Sequence, residues 1–246
     1  DRDSRLAILE PYLSMATILN IETSTSVCSV ALSAEGMILT HLENFDGRNH
    51  ATLLSGYIKH CLDHLRAHDD MRLDAIAVSI GPGSYTGLRI GLSEAKGLAY
   101  ALGVPLIGID TLQLLATAAM FSPDAEITDS TLFAPMIDAR RMEVYTAVYD
   151  LSLTPLMTPQ PLILDSGSYS GFLDSQKLLF IGDGASKAQD VITSPNAIFM
   201  PGIKPLAVDM VALSERSYAR NEFIDIAYSV PQYLKEFQAT VPKKTL

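Results

Sequence analysis

The run from Asp74 to Ala99 constrains this chain more than any other stretch. Asp74-Ala75-Ile76-Ala77-Val78-Ser79-Ile80 reads as a short buried strand, Gly81 and Gly83 make a tight turn, and a helix follows with Ser84 or Thr86 as its N-cap. A glycine turn feeding a helix start gathers unpaired N–H groups at the positive end of the helix dipole, which suits an anion. A plain strand-to-helix connection needs the same residues, and loop composition leaves the two readings level. The run is neither a Walker loop nor a GxGxxG fingerprint. Farther on, Gly87, Gly91, Ala95 and Ala99 recur every four residues and form one ridge. Glycines inside a helix cost roughly 1 kcal/mol each, so something packs closely on that ridge, from this chain or another.

Before this run the pattern is of strands. Thr17–Glu22 is a short apolar strand, Thr23-Ser24-Thr25-Ser26 a turn of small hydroxyl residues, and Val27–Ser33 the returning arm; Met37–Leu42 adds a third antiparallel strand. From His50 to His68, Leu54, Ile58, Cys61 and Leu65, flanked by Leu53, Tyr57 and Leu62, repeat at helical spacing. After the central run come a strand at Pro105–Ile109 and a helix at Thr111–Phe121, capped by Asp110 or Thr111. The order βββαβαβα predicts a mixed sheet with crossover helices, hence an α/β fold.

The pattern restarts in weaker form near Ser122. Strands are expected at Leu132–Asp138, Glu143–Asp150, Pro161–Leu164 and Leu178–Ile181, the last followed by Gly182-Asp183-Gly184 and a short helix. A long helix is expected over Pro205–Asn221, then an extended tail over Ala227–Leu234 and a frayed end at Val241–Leu246. The expected division is 15–110 plus 204–246 as a first domain and 111–203 as a smaller second one. Met15 reads as a natural start, and 1–14, with neither the basic segment nor the apolar core of a signal peptide, are left outside the fold.

At 246 residues, 48% of them hydrophobic, the chain can bury a real core. Its formal net charge of −10 argues against holding a nucleic-acid backbone unaided, because that affinity comes from clustered Lys and Arg. Cys28 and Cys61 form no CxxC pair, which fits a reducing, cytoplasmic compartment without excluding a disulfide. No apolar run reaches the ~20 residues that span a bilayer.

Four segments together resemble the TsaB (YeaZ) family: Ile21-Glu22-Thr23-Ser24-Thr25, Gly81 through Gly91, Ile137-Asp138-Ala139-Arg140-Arg141-Met142-Glu143-Val144-Tyr145, and Pro231-Gln232-Tyr233-Leu234. The resemblance covers Met15 to Leu234. It implies the ASKHA fold of actin, sugar kinases and Hsp70, two RNase H-like domains around a nucleotide cleft. It further implies a dimerisation partner of the catalytic TsaD-type subunit, with a TsaE-type ATPase as third component, in making N6-threonylcarbamoyladenosine in tRNA. The family's catalytic members carry a metal-binding HxxxH pair; here the matching positions are Thr111 and Leu115, and neither is an imidazole ligand.

The resemblance thus implies no catalytic residue and no metal. It suggests vestigial nucleotide or anion contacts at Glu22, Thr23, Ser24, Gly81, Gly83, Ser84, Gly182, Asp183 and Gly184, with weak ATP or ADP binding left open, alone or inside the complex. The expected partner face is Leu54, Tyr57, Ile58, Cys61, Gly87, Leu88, Gly91, Ala95 and Ala99, used for a TsaD-type subunit or, without it, a second copy; tRNA is reached through the complex. On that expectation Gly91→Leu or Ala95→Glu leaves the monomer folded. Two rivals stand beside this reading: an independent ASKHA small-molecule kinase using Glu22, Thr23 and the Gly182-Asp183-Gly184 turn, and a self-standing homodimeric binding module.

His60, His64 and His68 share a helix face near Asp63 and Asp69 and read as solvated surface rather than a metal site. Arg140 and Arg141 are either a salt-bridged hairpin tip, with Asp138 pairing Arg140, or a guanidinium fork for an anion or partner carboxylate. Arg89, in the first turns of its helix, opposes the dipole and calls for a specific partner.

Overall fold

The computed structural model describes residues 16–47, 49–68 and 71–235. Two five-stranded mixed sheets share one plan. In the first, β1 (Thr17–Glu22), β2 (Cys28–Ala34), β3 (Met37–Asn44), β4 (Ala75–Gly81) and β5 (Leu106–Asp110) lie in the order β3-β2-β1-β4-β5. β1 runs antiparallel to β2, with Thr17 opposite Ala34 and Glu22 opposite Ser29, and parallel to β4. The second holds β6 (Leu132–Asp138), β7 (Glu143–Tyr149), β8 (Pro155–Ile163), β9 (Leu178–Ile181) and β10 (Ala197–Met200) in the order β8-β7-β6-β9-β10. In each sheet, three antiparallel strands lead into two that run parallel to the first.

The strands of the first sheet are apolar on both faces because both are covered. Leu19, Ile21, Val30, Leu32, Ile76 and Val78 meet α1 (His50–Arg66) and α2 (Tyr85–Leu102) through Leu54, Ile58, Cys61, Leu65, Leu92, Ala95 and Ala99. On the other face Ile18, Ala77, Ile107 and Ile109 meet Leu114 of α3 (Thr111–Met120) together with Met210 and Leu213. Burying each such large side chain contributes about 1.5–3 kcal/mol. Leu112, Leu115, Ala116 and Ala119 of α3 pack instead with Phe133, Ile137 and Ile181 of the second sheet. One short helix therefore serves both cores.

Local chemistry explains where the elements stop. Ser84 caps α2 by accepting from Gly87 N–H, and Gly103 ends it in the left-handed region. Asp110 caps α3 through the N–H groups of Leu112 and Gln113. β8 begins at Pro155, six residues before the expected Pro161, because an edge strand tolerates the proline-rich stretch. The short helices α4 (Ser170–Leu173) and α5 (Ala185–Gln189) complete the second unit, α4 and β10 being unforeseen.

The expected long helix over Pro205–Asn221 is instead a 3-10 turn, Ala207–Met210, leading into α6 (Val211–Ala219). Leu206 is extended and Ala207 N–H is held by Ser29 Oγ at 2.8 Å, so the chain is tethered where helix would start. The tail then returns to the first sheet, where Ile224 bridges Leu106. The expectations for 1–14, Met15, Asp69 and 241–246 lie outside the described residues. Among the described residues no helix is long and apolar enough to cross a membrane.

Candidate functional site

Glu22 ends β1 fully buried. One carboxylate oxygen accepts both the N–H and the hydroxyl of Ser24; the other has no partner among the described residues. Desolvation pushes its pKa up to about 7, against the opposing pull of bonds from Ser24 and Ser79, while Asp209 nearby raises it further. Neither neighbour, Ser79 nor Asp209, is marked by sequence spacing, since both lie far along the chain.

The hydroxyl turn that follows is turned inward. Thr23 is buried and donates its hydroxyl to Gly87 O at 2.9 Å, and Ser24 O accepts Ser84 N–H at 2.6 Å. A Cβ on Gly83 would stand 2.2 Å from Ser24 O, and one on Gly87 2.1 Å from Thr23 O. Gly81, at φ +116°, faces Gln232 O in the same way at 2.8 Å. The glycines thus let the first hairpin and the tail press against the start of α2. At the anion cradle expected at Gly81, Gly83 and Ser84, Ser84 N–H is bonded to Ser24 O and Gly87 N–H to Ser84 Oγ, so these two donors are spent inside the chain. Thr23 and Ser24 likewise spend their hydroxyls inside the chain rather than toward a phosphate.

The second sheet holds the matching corner. Gly182, at φ +95°, and Gly184 pack on Met136, and Asp183 accepts Asp138 N–H at 2.9 Å. Burial pushes the Asp183 carboxyl above its usual range, with Asp138 adding to the rise. That turn braces the end of β6 from within, a structural duty that the nucleotide reading had not included. Asp138 pairs with Lys187 at 2.8 Å; the expected Asp138–Arg140 ion pair is replaced by Arg140 N–H donating to the Asp138 carboxylate at 2.6 Å. Lys235 of the tail pairs with Glu143, while Tyr233 lies 5.2 Å from the Tyr85 ring and Arg89 sits 4.5 Å over that ring. Arg89 finds its partner there. An open cleft of about 580 Å³ is lined by Phe45, Phe121, Lys204 and Asp209 among others, a grouping that no sequence motif announced.

The family model described as TsaD, tRNA N6-adenosine threonylcarbamoyltransferase, matches residues 44–245. The solved structure of YeaZ from Pseudomonas aeruginosa superposes with a TM-score of 0.77 at 31% identity, over 89% of this chain and 100% of that one. The chain belongs to the TsaB (YeaZ) family. The tRNA threonylcarbamoyladenosine biosynthesis protein TsaB of Escherichia coli K12 is 28% identical over 89% of this chain and 94% of its own length. The protein of the same name from Haemophilus influenzae is 37% identical over 52% of each. The α/β architecture of two mixed sheets is accordingly a two-domain, ASKHA-like fold.

In this TsaB-family chain, Thr111 and Leu115 both point into packed protein. Thr111 is buried with its hydroxyl unpartnered, and Leu115 belongs to the second-sheet core. Among the described residues no three His, Cys, Asp or Glu side chains gather as a metal site; Asp63 pairs with Lys59 and Arg66, and His60 contacts the Thr40 hydroxyl. Cys28 and Cys61 are free, buried thiols pushed up to about 11 by desolvation.

The expected partner face needs correction. Leu54, Ile58, Cys61, Gly87, Leu88, Gly91, Ala95 and Ala99 are buried in the chain's own core, and Tyr57 is half-buried. A Cβ on Gly91 would lie 2.2 Å from Thr23 Oγ1, so the four-residue ridge accommodates the β1–β2 turn and the sheet, and a larger side chain at Gly91 would meet this chain's own Thr23. The glycines that face outward are two others. Gly56 in α1 and Gly97 in α2 are exposed, and a Cβ on either meets nothing within 4 Å. Their signal was present in sequence as glycine on the polar side of an amphipathic helix.

Proposed function

We propose that this chain is the non-catalytic, dimer-forming subunit of a tRNA threonylcarbamoyladenosine machinery in the cytoplasm, pairing with a TsaD-type catalytic subunit and working with a TsaE-type ATPase. The observation that carries the reading is the pair Gly56 and Gly97. Each sits inside a helix at a cost of about 1 kcal/mol relative to alanine, and among the described residues nothing lies within 4 Å of where a Cβ would stand on either. A second backbone coming close supplies the missing reason. Ser55 Oγ donates to Glu94 at 3.0 Å, so α1 and α2 lie side by side and offer both glycines on one two-helix surface. Helical spacing adds exposed Thr52, Lys59 and Asp63 on α1, and exposed Thr86, Ser93 and Tyr100 with half-buried Ile90 on α2. Tyr100, 82% exposed, is a large apolar anchor at its edge. Two such surfaces make a four-helix contact with a related subunit, or with a second copy when that subunit is absent.

The names of the relatives, biosynthesis proteins of tRNA threonylcarbamoyladenosine, support the pathway. Threonine and leucine at the metal positions support a partner without its own transferase chemistry, needing no cofactor. The inward hydroxyls of Thr23 and Ser24 weigh against the independent kinase. Reconstitution tests the reading. The chain alone is expected to leave an unmodified tRNA transcript unchanged and to show no salt-sensitive affinity for it, and to restore transfer when mixed with the TsaD-type and TsaE-type proteins. Transfer by the chain alone would overturn it.

A further inference from the structure

The β6–β7 hairpin carries two consecutive non-glycine residues in the left-handed region, Arg140 at φ +71° and Arg141 at φ +52°. Asparagine and glycine are the ordinary occupants of such turns, because a Cβ is strained there. Both arginines are exposed, and neither guanidinium has a hydrogen bond or ion pair among the described residues. The frame beneath them is fixed. Ala139 N–H bonds Glu143 O at 3.0 Å, Glu143 N–H bonds Arg140 O at 3.2 Å, and Asp138 is held by Asp183 from behind.

The local charge is arranged in the same sense. Lys187 engages Asp138, Lys235 engages Glu143, and Lys187 also reaches Glu143 O at 3.3 Å. Asp138 and Glu143 at the base of the hairpin thus each pair with a lysine, Asp183 shares the influence of Lys187, and the two guanidiniums at the tip have no carboxylate partner among the described residues. A chain of net charge −10 repels a polyanion over most of its surface, so a braced tip of uncompensated arginine is where one can come close. Guanidinium offers a planar fork of donors that matches a phosphate, and strained backbone that gains nothing internally is a mark of a functional site.

We propose that Arg140 and Arg141 are this chain's own contact to the ribose-phosphate backbone of RNA in the assembled complex. The proposal rests on the tRNA-modification reading above and adds to it a site. Glycine relieves the positive φ, so R140G/R141G removes both guanidiniums while keeping or raising thermal stability, an outcome opposite to that of a structural role. With the TsaD-type subunit bound, the variant is expected to assemble normally and bind an unmodified tRNA transcript at least about tenfold more weakly. The slope of log affinity against log salt should fall by roughly 1.5–2, and ATP affinity should stay unchanged.

Unchanged tRNA affinity and slope in an intact complex would overturn the proposal and leave the functional reading standing. Lost ATP affinity with tRNA binding retained would assign the arginines to a free nucleotide and overturn it too. A lower melting temperature would make the tip structural, and a wild-type complex that does not bind tRNA would sink both the site and the reading beneath it.

Discussion

At the scale of single residues, Glu22 makes the sharpest statement. Its carboxyl moves from 4.5 in an unfolded chain to about 7 when buried, so the folded state holds a proton that the unfolded state has released. Stability from this group is full below pH 4.5 and is lost as pH rises to 7, by roughly 3 kcal/mol at about 1.4 kcal/mol per unit. Asp110 and Asp209 are also raised by burial, both to about 6, and act in the same direction at lower pH. Between pH 6 and 7.5 the slope therefore belongs chiefly to Glu22. Urea denaturation across that interval should show stability falling with pH in the wild type and nearly level in Glu22→Gln, whose amide oxygen still accepts from Ser24. An equal slope in both would mean that Glu22 is ionised in the folded state.

At the scale of elements, the two kinds of helical glycine behave oppositely. Gly87→Ala drives a Cβ to 2.1 Å from a carbonyl oxygen, which cannot swing aside, and should cost about 3 kcal/mol or more. Gly91→Ala meets Thr23 Oγ1, a side-chain atom, at 2.2 Å. Its cost should fall by at least about 1 kcal/mol when Thr23 is already alanine, and a thermal-melt double-mutant cycle reads that coupling. Sequence periodicity made α1, α2 and the Ser84 cap legible. It also showed that Gly87, Gly91, Ala95 and Ala99 must be packed on, yet not by what. The answer was the β1–β2 turn, a contact between residues some 64 positions apart, which a four-residue repeat does not encode.

At the scale of the whole molecule, the doubled plan was legible because both halves repeat the same order of strand patterns, and the family resemblance rested on four segments spread over that plan. What stayed hidden depends on tertiary tethers. The Ser29 bond that stops a helix before Ala207, and the tail that reaches Gly81 and Glu143, join segments far apart in the sequence. Burial likewise decided which helix faces point outward, and so moved the proposed partner surface from the alanine-glycine ridge to Gly56 and Gly97. Sedimentation velocity of G56L/G97L mixed with the TsaD-type subunit, with circular dichroism on the same samples, tests that surface directly. The variant should keep a native spectrum, gain roughly 1.5 kcal/mol of stability from better helix propensity at the two positions, and bind its partner roughly tenfold to several hundredfold more weakly. A folded variant that pairs as tightly as the wild type would place the interface elsewhere.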